Sequence, residues 1–412
     1  MNRLVVCLSL LLVSSSAAAE NWPGWRGPAS DGVASGKFPV QWDKTNVAWT
    51  VKMEAHGGST PIVWGDQIFL TSIVDGQNTV VCLDKEGKTV WQEQIGKQRP
   101  GKHKKASGCN SSPVTDGQHL YVYFKSGDVA CFELTGKKIW QINLQKKYGE
   151  DTLWWDLGTS PVLTKKHVVI AVMQSGPSYL VALNKQTGKT DWKSARDLDA
   201  PEEAAQSYST PVVMMRDGVE TLVVLGADHV TAHRAENGKE LWRVGGLNPT
   251  QHKYFRSISS PVIAGDLVIA PYARGKSLTA IRLGGSGDVT KTHVAWFKDD
   301  GTSADVPSPA VKDGRVYVCT DGGKLHCVEA ATGNTHWSGQ LPKSRHKYSA
   351  SPIVAGGHVY LVREDGTTFV VKTGDDFELV ATNKLDGFSV ASPVLTNGRI
   401  LLRTSKSLYC IK

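Results

Sequence analysis

The sequence predicts an all-β fold, an eight-bladed β-propeller with four antiparallel strands per blade. Three observations point to it. First, a Ser/Thr-Pro pair recurs eight times, and Pro61, Pro113, Pro161, Pro211, Pro261, Pro309, Pro352 and Pro393 stand 41 to 52 residues apart. Four-stranded units of ~40–50 residues have the period of propeller blades. Second, six units close on a tryptophan, at Trp91, Trp140, Trp192, Trp242, Trp296 and Trp337, and the seventh carries Phe377 and Leu379 there instead. Third, the two ends complement each other. The eighth unit stops at Leu408–Ile411 with only three strands, while Asn46–Trp49 is a tryptophan strand with no unit of its own. The N-terminal strand is therefore expected to complete the last blade. That closure hides two edges that would otherwise invite aggregation.

The unit Ser308–Trp337 shows the pattern. Ser308-Pro309 opens a short apolar run, Asp313-Gly314 breaks it, and Arg315–Thr320 follows. Asp321-Gly322-Gly323 breaks again before Leu325–Glu329, and Thr332-Gly333 leads into the strand of Trp337. The Asp-Gly pairs, and Asn397-Gly398 in the last unit, are hairpin formers that need positive φ. Proline suits the start of the innermost strand, because no ladder donor is lost at that edge. The hydroxyl before it is read as bonding nearby backbone and fixing a turn. The tryptophans are large enough to fill the gap between twisted sheets. Cys82, Cys131, Cys327 and Cys410 share one third-strand position with Ala182, Ala232, Ala280 and Val371. A position held by Cys, Ala and Val is a small buried slot, so these thiols are read as free. Cys319 faces Cys327 across its hairpin only if the loop has three residues, and Cys109 stands alone.

Residues 1–19 have a basic Arg3, an apolar core Leu4–Val13 and Ala17-Ala18-Ala19, the pattern of a secretory signal cleaved near Ala19. The mature chain is expected to be exported to the periplasm or beyond. No later run is long and apolar enough to span a bilayer. Residues 20–45 carry Trp22, Trp25 and Trp42 among Gly and Pro, too aromatic for a disordered tail. They are expected to pack on an outer blade surface, with a plug or lip at the channel as the alternative. Residues 46–412 form the ring.

The segments Thr187–Trp192, Asn237–Trp242 and Thr332–Trp337 resemble the tryptophan-docking repeat of the PQQ-like β-propellers. That superfamily includes the quinoprotein alcohol dehydrogenases and the BamB-like assembly scaffolds. The resemblance implies the fold, over about residues 46–412, and leaves two functions open. The dehydrogenases carry an adjacent-cysteine pair and a Glu, Asn and Asp set around calcium. This chain has no adjacent cysteines and no assignable calcium set, so PQQ with calcium is not supported by a recognisable site and no cofactor is expected.

The loops entering the Ser/Thr-Pro strands emerge on one face, around the channel mouth. Candidate binding residues there are His56, Asn110, Asp156, Gln206, Tyr208, Arg256, Asp305, Lys347 and Tyr348, with Asp156 or Asp305 as the only candidate bases. The same face carries a basic rim, with Lys102, Lys104 and Lys105 in one acid-free loop. Such a field favours an anionic ligand or another envelope protein. The net charge of +8 is moderate for 412 residues and is not by itself a nucleic-acid signature, so no nucleic-acid partner is expected. Trp154-Trp155 is either an apolar anchor on the rim or packed beneath its loop. No catalytic motif is present. The chain is therefore expected to be a monomeric, exported, non-catalytic scaffold of the BamB-like kind, with a quinoprotein dehydrogenase as the alternative.

Overall fold

The computed structural model describes residues 20–412; the expected secretory signal lies outside the described residues. Eight sheets form the ring. Blade one contains Ile62–Trp64, Gln67–Val74, Gln77–Asp84 and Thr89–Lys97, in that order from the channel outward. The ring closes as the ends predict: Val47–Lys52 pairs antiparallel with Ser407–Ile411 and sets Trp49 opposite Cys410. Blade four departs from four strands. It gains a short fifth, Gly287–Asp288, which runs parallel to Glu240–Val244 and comes from an insertion in blade five.

The small third-strand slot has a simple cause. Cys82, Cys131, Ala182, Ala232, Ala280 and Cys327 lie directly opposite Trp91, Trp140, Trp192, Trp242, Trp296 and Trp337. A larger residue there would collide with the indole. Blade seven corrects the sequence reading. Val370, not Val371, holds the slot: it pairs with Tyr360 of the second strand, as Cys327 pairs with Tyr317, and it faces Ala381. Neither Phe377 nor Leu379 takes the tryptophan's place. Phe38 and Trp42 from the N-terminal segment share a buried cluster with Ala381 and fill the space, and the Trp42 N–H donates to Asn383 Oδ1 at 2.8 Å. Cys319 lies opposite Leu325 and Cys327 opposite Tyr317, so the two do not face each other. All six described thiols are free and buried.

Neighbouring blades are joined at both radii. At the outside, Trp49, Trp91, Trp140, Trp192 and Trp296 each lie on the turn glycine of the next blade and donate to a carbonyl there. Trp49 Nε1 reaches Lys85 O at 2.8 Å, and Trp140 Nε1 reaches Lys185 O at 2.8 Å. A Cβ on Gly87 would stand 2.7 Å from the Trp49 ring, and φ there is +82°, so only glycine fits.

At the inside, the hydroxyls do not fix local turns as expected. Each accepts the backbone N–H of its counterpart in the preceding blade. The links run Thr60 to Ser112, Ser112 to Ser160, Ser160 to Thr210, Thr210 to Ser260, Ser260 to Ser308, Ser308 to Ser351 and Ser351 to Ser392, at 2.8 to 3.1 Å. Ser392 returns to Thr60 at 3.2 Å and completes the circle.

The N-terminal segment corrects a second expectation. Only its Phe38–Trp42 part packs by an outer strand. Residues 20–34 enter the channel from the end opposite the loop mouth. Trp22 is fully buried and exchanges backbone bonds with Val63 at 2.8 and 2.9 Å. Pro23, Asp31 and Gly32 accept the N–H groups of Thr115, Val311 and Val354 at 2.9, 3.0 and 2.8 Å. Arg26 is buried and donates to Pro309 O at 2.7 Å and Pro352 O at 2.9 Å. The alternative reading, a plug, describes this part of the segment.

Candidate functional site

The mouth is a funnel of about 490 Å³ whose floor includes Trp25 of the plug. Six of the nine candidate residues line it: Asn110, Asp156, Tyr208, Arg256, Asp305 and Lys347. The other three do not. His56 lines a neighbouring hollow with Lys102 and Lys104. Gln206 is fully buried, where it accepts the Trp154 N–H at 2.9 Å and the Tyr208 hydroxyl at 2.8 Å. Tyr348 is buried against Gly323 and Phe369, outward of the funnel. Position relative to a proline thus locates a residue on the mouth face but does not fix the direction of its side chain.

Both candidate bases are engaged. Asp156 is buried in an ion pair with Lys125 and accepts the backbone N–H groups of Lys102 at 2.8 Å and His103 at 2.9 Å. It clasps the first mouth loop to blade two. Asp305 is held by both Nη atoms of Arg256 at 3.0 and 3.1 Å, and Arg256 also meets Glu203 at 3.3 Å. Breaking either pair would leave a charge without its partner in a largely desolvated place.

The basic rim is partly neutralised. Lys105 pairs with Glu364 of blade seven at 2.6 Å, which carries the first mouth loop across the opening. Lys102 Nζ donates to Leu153 O at 2.6 Å. Lys104 and Lys347 have no ion pair among the described residues. The Trp154-Trp155 pair stands at the surface, each 45 % exposed, with His103 edge-on to Trp155 at 5.7 Å.

Sequence reasoning missed Arg274, Asp321 and Trp25, which also line the funnel. Arg274 and Asp321 sit in second-to-third strand turns, which read as ordinary hairpins. Arg274 has φ of +56°, an uncommon conformation for a side chain of that size, and stands 3.8 Å from Asp305. Burial, with Asp305 nearby, pushes the Asp321 carboxyl up to about 6. For Arg274 the only available signal was the polar sequence Ala273-Arg274-Gly275 where other blades place Asp-Gly or Gly-Gly.

A family model described as outer membrane protein assembly factor BamB matches residues 39–176, 125–293 and 288–387. Together these span most of the ring. The chain belongs to this family. Within it, the chain is 24% identical to outer membrane protein assembly factor BamB of Yersinia pestis over 339 residues, covering 80% of this chain and 78% of that one. The protein of the same name from Bordetella pertussis is 24% identical over 340 residues, covering 77% and 79%. Among solved structures, BamB from Moraxella catarrhalis aligns with a TM-score of 0.61 and 12% identity, over 89% of this chain and 99% of that one. A europium-containing methanol dehydrogenase aligns with a TM-score of 0.69 and 12% identity, over 94% and 90%. At that identity the structural likenesses speak to the propeller alone. No described helix is long and apolar enough to cross a membrane.

Proposed function

We propose that the chain is a non-catalytic scaffold of the cell envelope, exported and acting in outer-membrane protein assembly, which holds a partner protein on its loop face. The family match over residues 39–387 carries this reading. The mouth is consistent with it. The exposed pair Trp154-Trp155 offers aromatic anchors of the kind that dominate protein interfaces, and Lys104 and Lys347 supply unpaired positive charge elsewhere on the same face. We further read the chain as working without PQQ or calcium. Asp156 and Asp305 already spend their oxygens on Lys125, loop amides and Arg256, so neither fits as a calcium ligand or a free base.

Two experiments test the reading. Crosslinking in envelope preparations is expected to capture a defined partner with the native chain and to lose it with Trp154→Ala combined with Lys104→Glu. An unchanged partner profile would count against the loop face. Addition of PQQ and calcium with an artificial electron acceptor is expected to give no dye reduction with alcohols or sugars, and sustained reduction would favour the dehydrogenase alternative.

A further inference from the structure

The innermost strands present a repeated hydrogen-bonding group to the channel. Two residues after each proline, the chain is in the same register with its hairpin partner: Val63 with Ile68, Leu163 with Val168, Val213 with Leu222, Ile263 with Val268, Val311 with Val316 and Val354 with Val359. In antiparallel pairing this position turns its N–H and C=O away from the partner strand. At Val63, Thr115, Val311 and Val354 the N–H is capped by backbone of the plug, at 2.8 to 3.0 Å, and these four residues are buried. At Leu163, Val213 and Ile263, in blades three, four and five, no acceptor among the described residues meets it, and these three are only half-buried. Leu395 of blade eight, paired with Ile400, has no backbone acceptor among the described residues either, but it is buried; the plug thus leaves an arc of three adjacent half-buried donors in blades three to five.

A cleft of about 300 Å³ takes in two of these donors, lined by Pro161, Leu163, Pro211, Val213 and Pro261 on the ring side and by Trp25 on the plug side; Ile263 is not part of its lining. Its walls are mostly apolar, and the strand edges supply the polar groups. Unpaired backbone groups on a strand edge are the template for adding an extended chain.

We propose that this cleft is a binding site for a short extended peptide of small uncharged side chains, whose carbonyls cap Leu163 and Val213 as the plug caps the facing blades. The occupant is argued from continuity: the same channel wall already binds extended backbone at four equivalent positions. The site lies at the end opposite the mouth and does not rest on the scaffold reading.

The probe is the peptide amide acetyl-Val-Gly-Val-Gly-Val-NH2, added to the full mature chain. Binding is followed by Trp fluorescence and by hydrogen exchange. Saturable binding that slows exchange around Leu163 and Val213 is expected. Val213→Pro removes the central donor, which the hairpin does not use, and is expected to weaken binding about tenfold, the worth of one hydrogen bond. A second peptide, acetyl-Lys-Gly-Lys-Gly-Lys-NH2, sets charges against the apolar wall and is expected not to bind the native chain, so the proposal stays testable if the proline variant does not fold. No saturable binding, protection confined to the mouth loops, or equal binding of the lysine peptide would each overturn it.

Discussion

The backbone N–H of Ser392 donates to Thr60 Oγ1 at 3.2 Å, joining residues 332 positions apart in sequence. It is the last of eight identical links, and it exists only if the ring is closed. The pairing of Val47–Lys52 with Ser407–Ile411 brings the N-terminal strand into blade eight, which also meets blade one through Trp49 on Gly87 and through Arg399 and Arg403 on its carbonyls.

Thr60→Val removes the acceptor and leaves the Ser392 N–H buried without a partner. The expected cost is ~1–3 kcal/mol in urea unfolding, whereas Thr60→Ser keeps the oxygen and stays close to the parent. Equal stability of all three proteins would show that the link is dispensable.

Lys125→Met leaves Asp156 charged and buried. A loss of ~3–5 kcal/mol is expected, as for a broken buried pair. Hydrogen exchange should quicken across residues 97–107, because Asp156 also holds the Lys102 and His103 amides. Destabilisation without faster loop exchange would separate the two roles.

Deleting residues 20–34 uncovers the N–H groups of Val63, Thr115, Val311 and Val354. At ~1 kcal/mol per bond, a loss of about 4 kcal/mol is expected, before counting the exposure of buried Trp22. Exchange at those four amides should then match that of Leu163, Val213 and Ile263. An unchanged midpoint would mean that the plug is only loosely held.

Burial lowers His326 to about 4 from its ordinary 6.5. The folded state favours the neutral ring, so its contribution is complete above pH 6.5 and is lost as pH falls toward 4. Between about pH 7 and pH 4.5 the native chain should lose more stability than His326→Gln. Parallel losses would place the acid sensitivity elsewhere, for example at His233, which burial lowers in the same direction to about 4.

The repeat was legible because a propeller writes each blade's local needs into the sequence at a fixed interval. The proline at a strand edge, the glycine beneath an indole and the small residue opposite it are each dictated by neighbours within one blade or the next. Six mouth residues were legible for the same reason, since the loop entering each innermost strand has a fixed place. Gln206 and Tyr348 were misread because side-chain direction in a loop is set by what lies behind it. For Gln206 that is the Trp154 backbone and Tyr208, and for Tyr348 it is Phe369 and Gly323.

The sequence alone therefore determined the eight blades, the strand exchange that closes them and the small buried slot of the third-strand thiols, since each follows from local pattern or from complementary ends. Only the tertiary structure decided that Cys319 and Cys327 do not face each other, that residues 20–34 plug the channel, that the hydroxyls bond between blades, and that Asp156 is held by Lys125. The last three join groups tens to hundreds of residues apart, and no local periodicity encodes which buried donor will find which acceptor once the ring has closed.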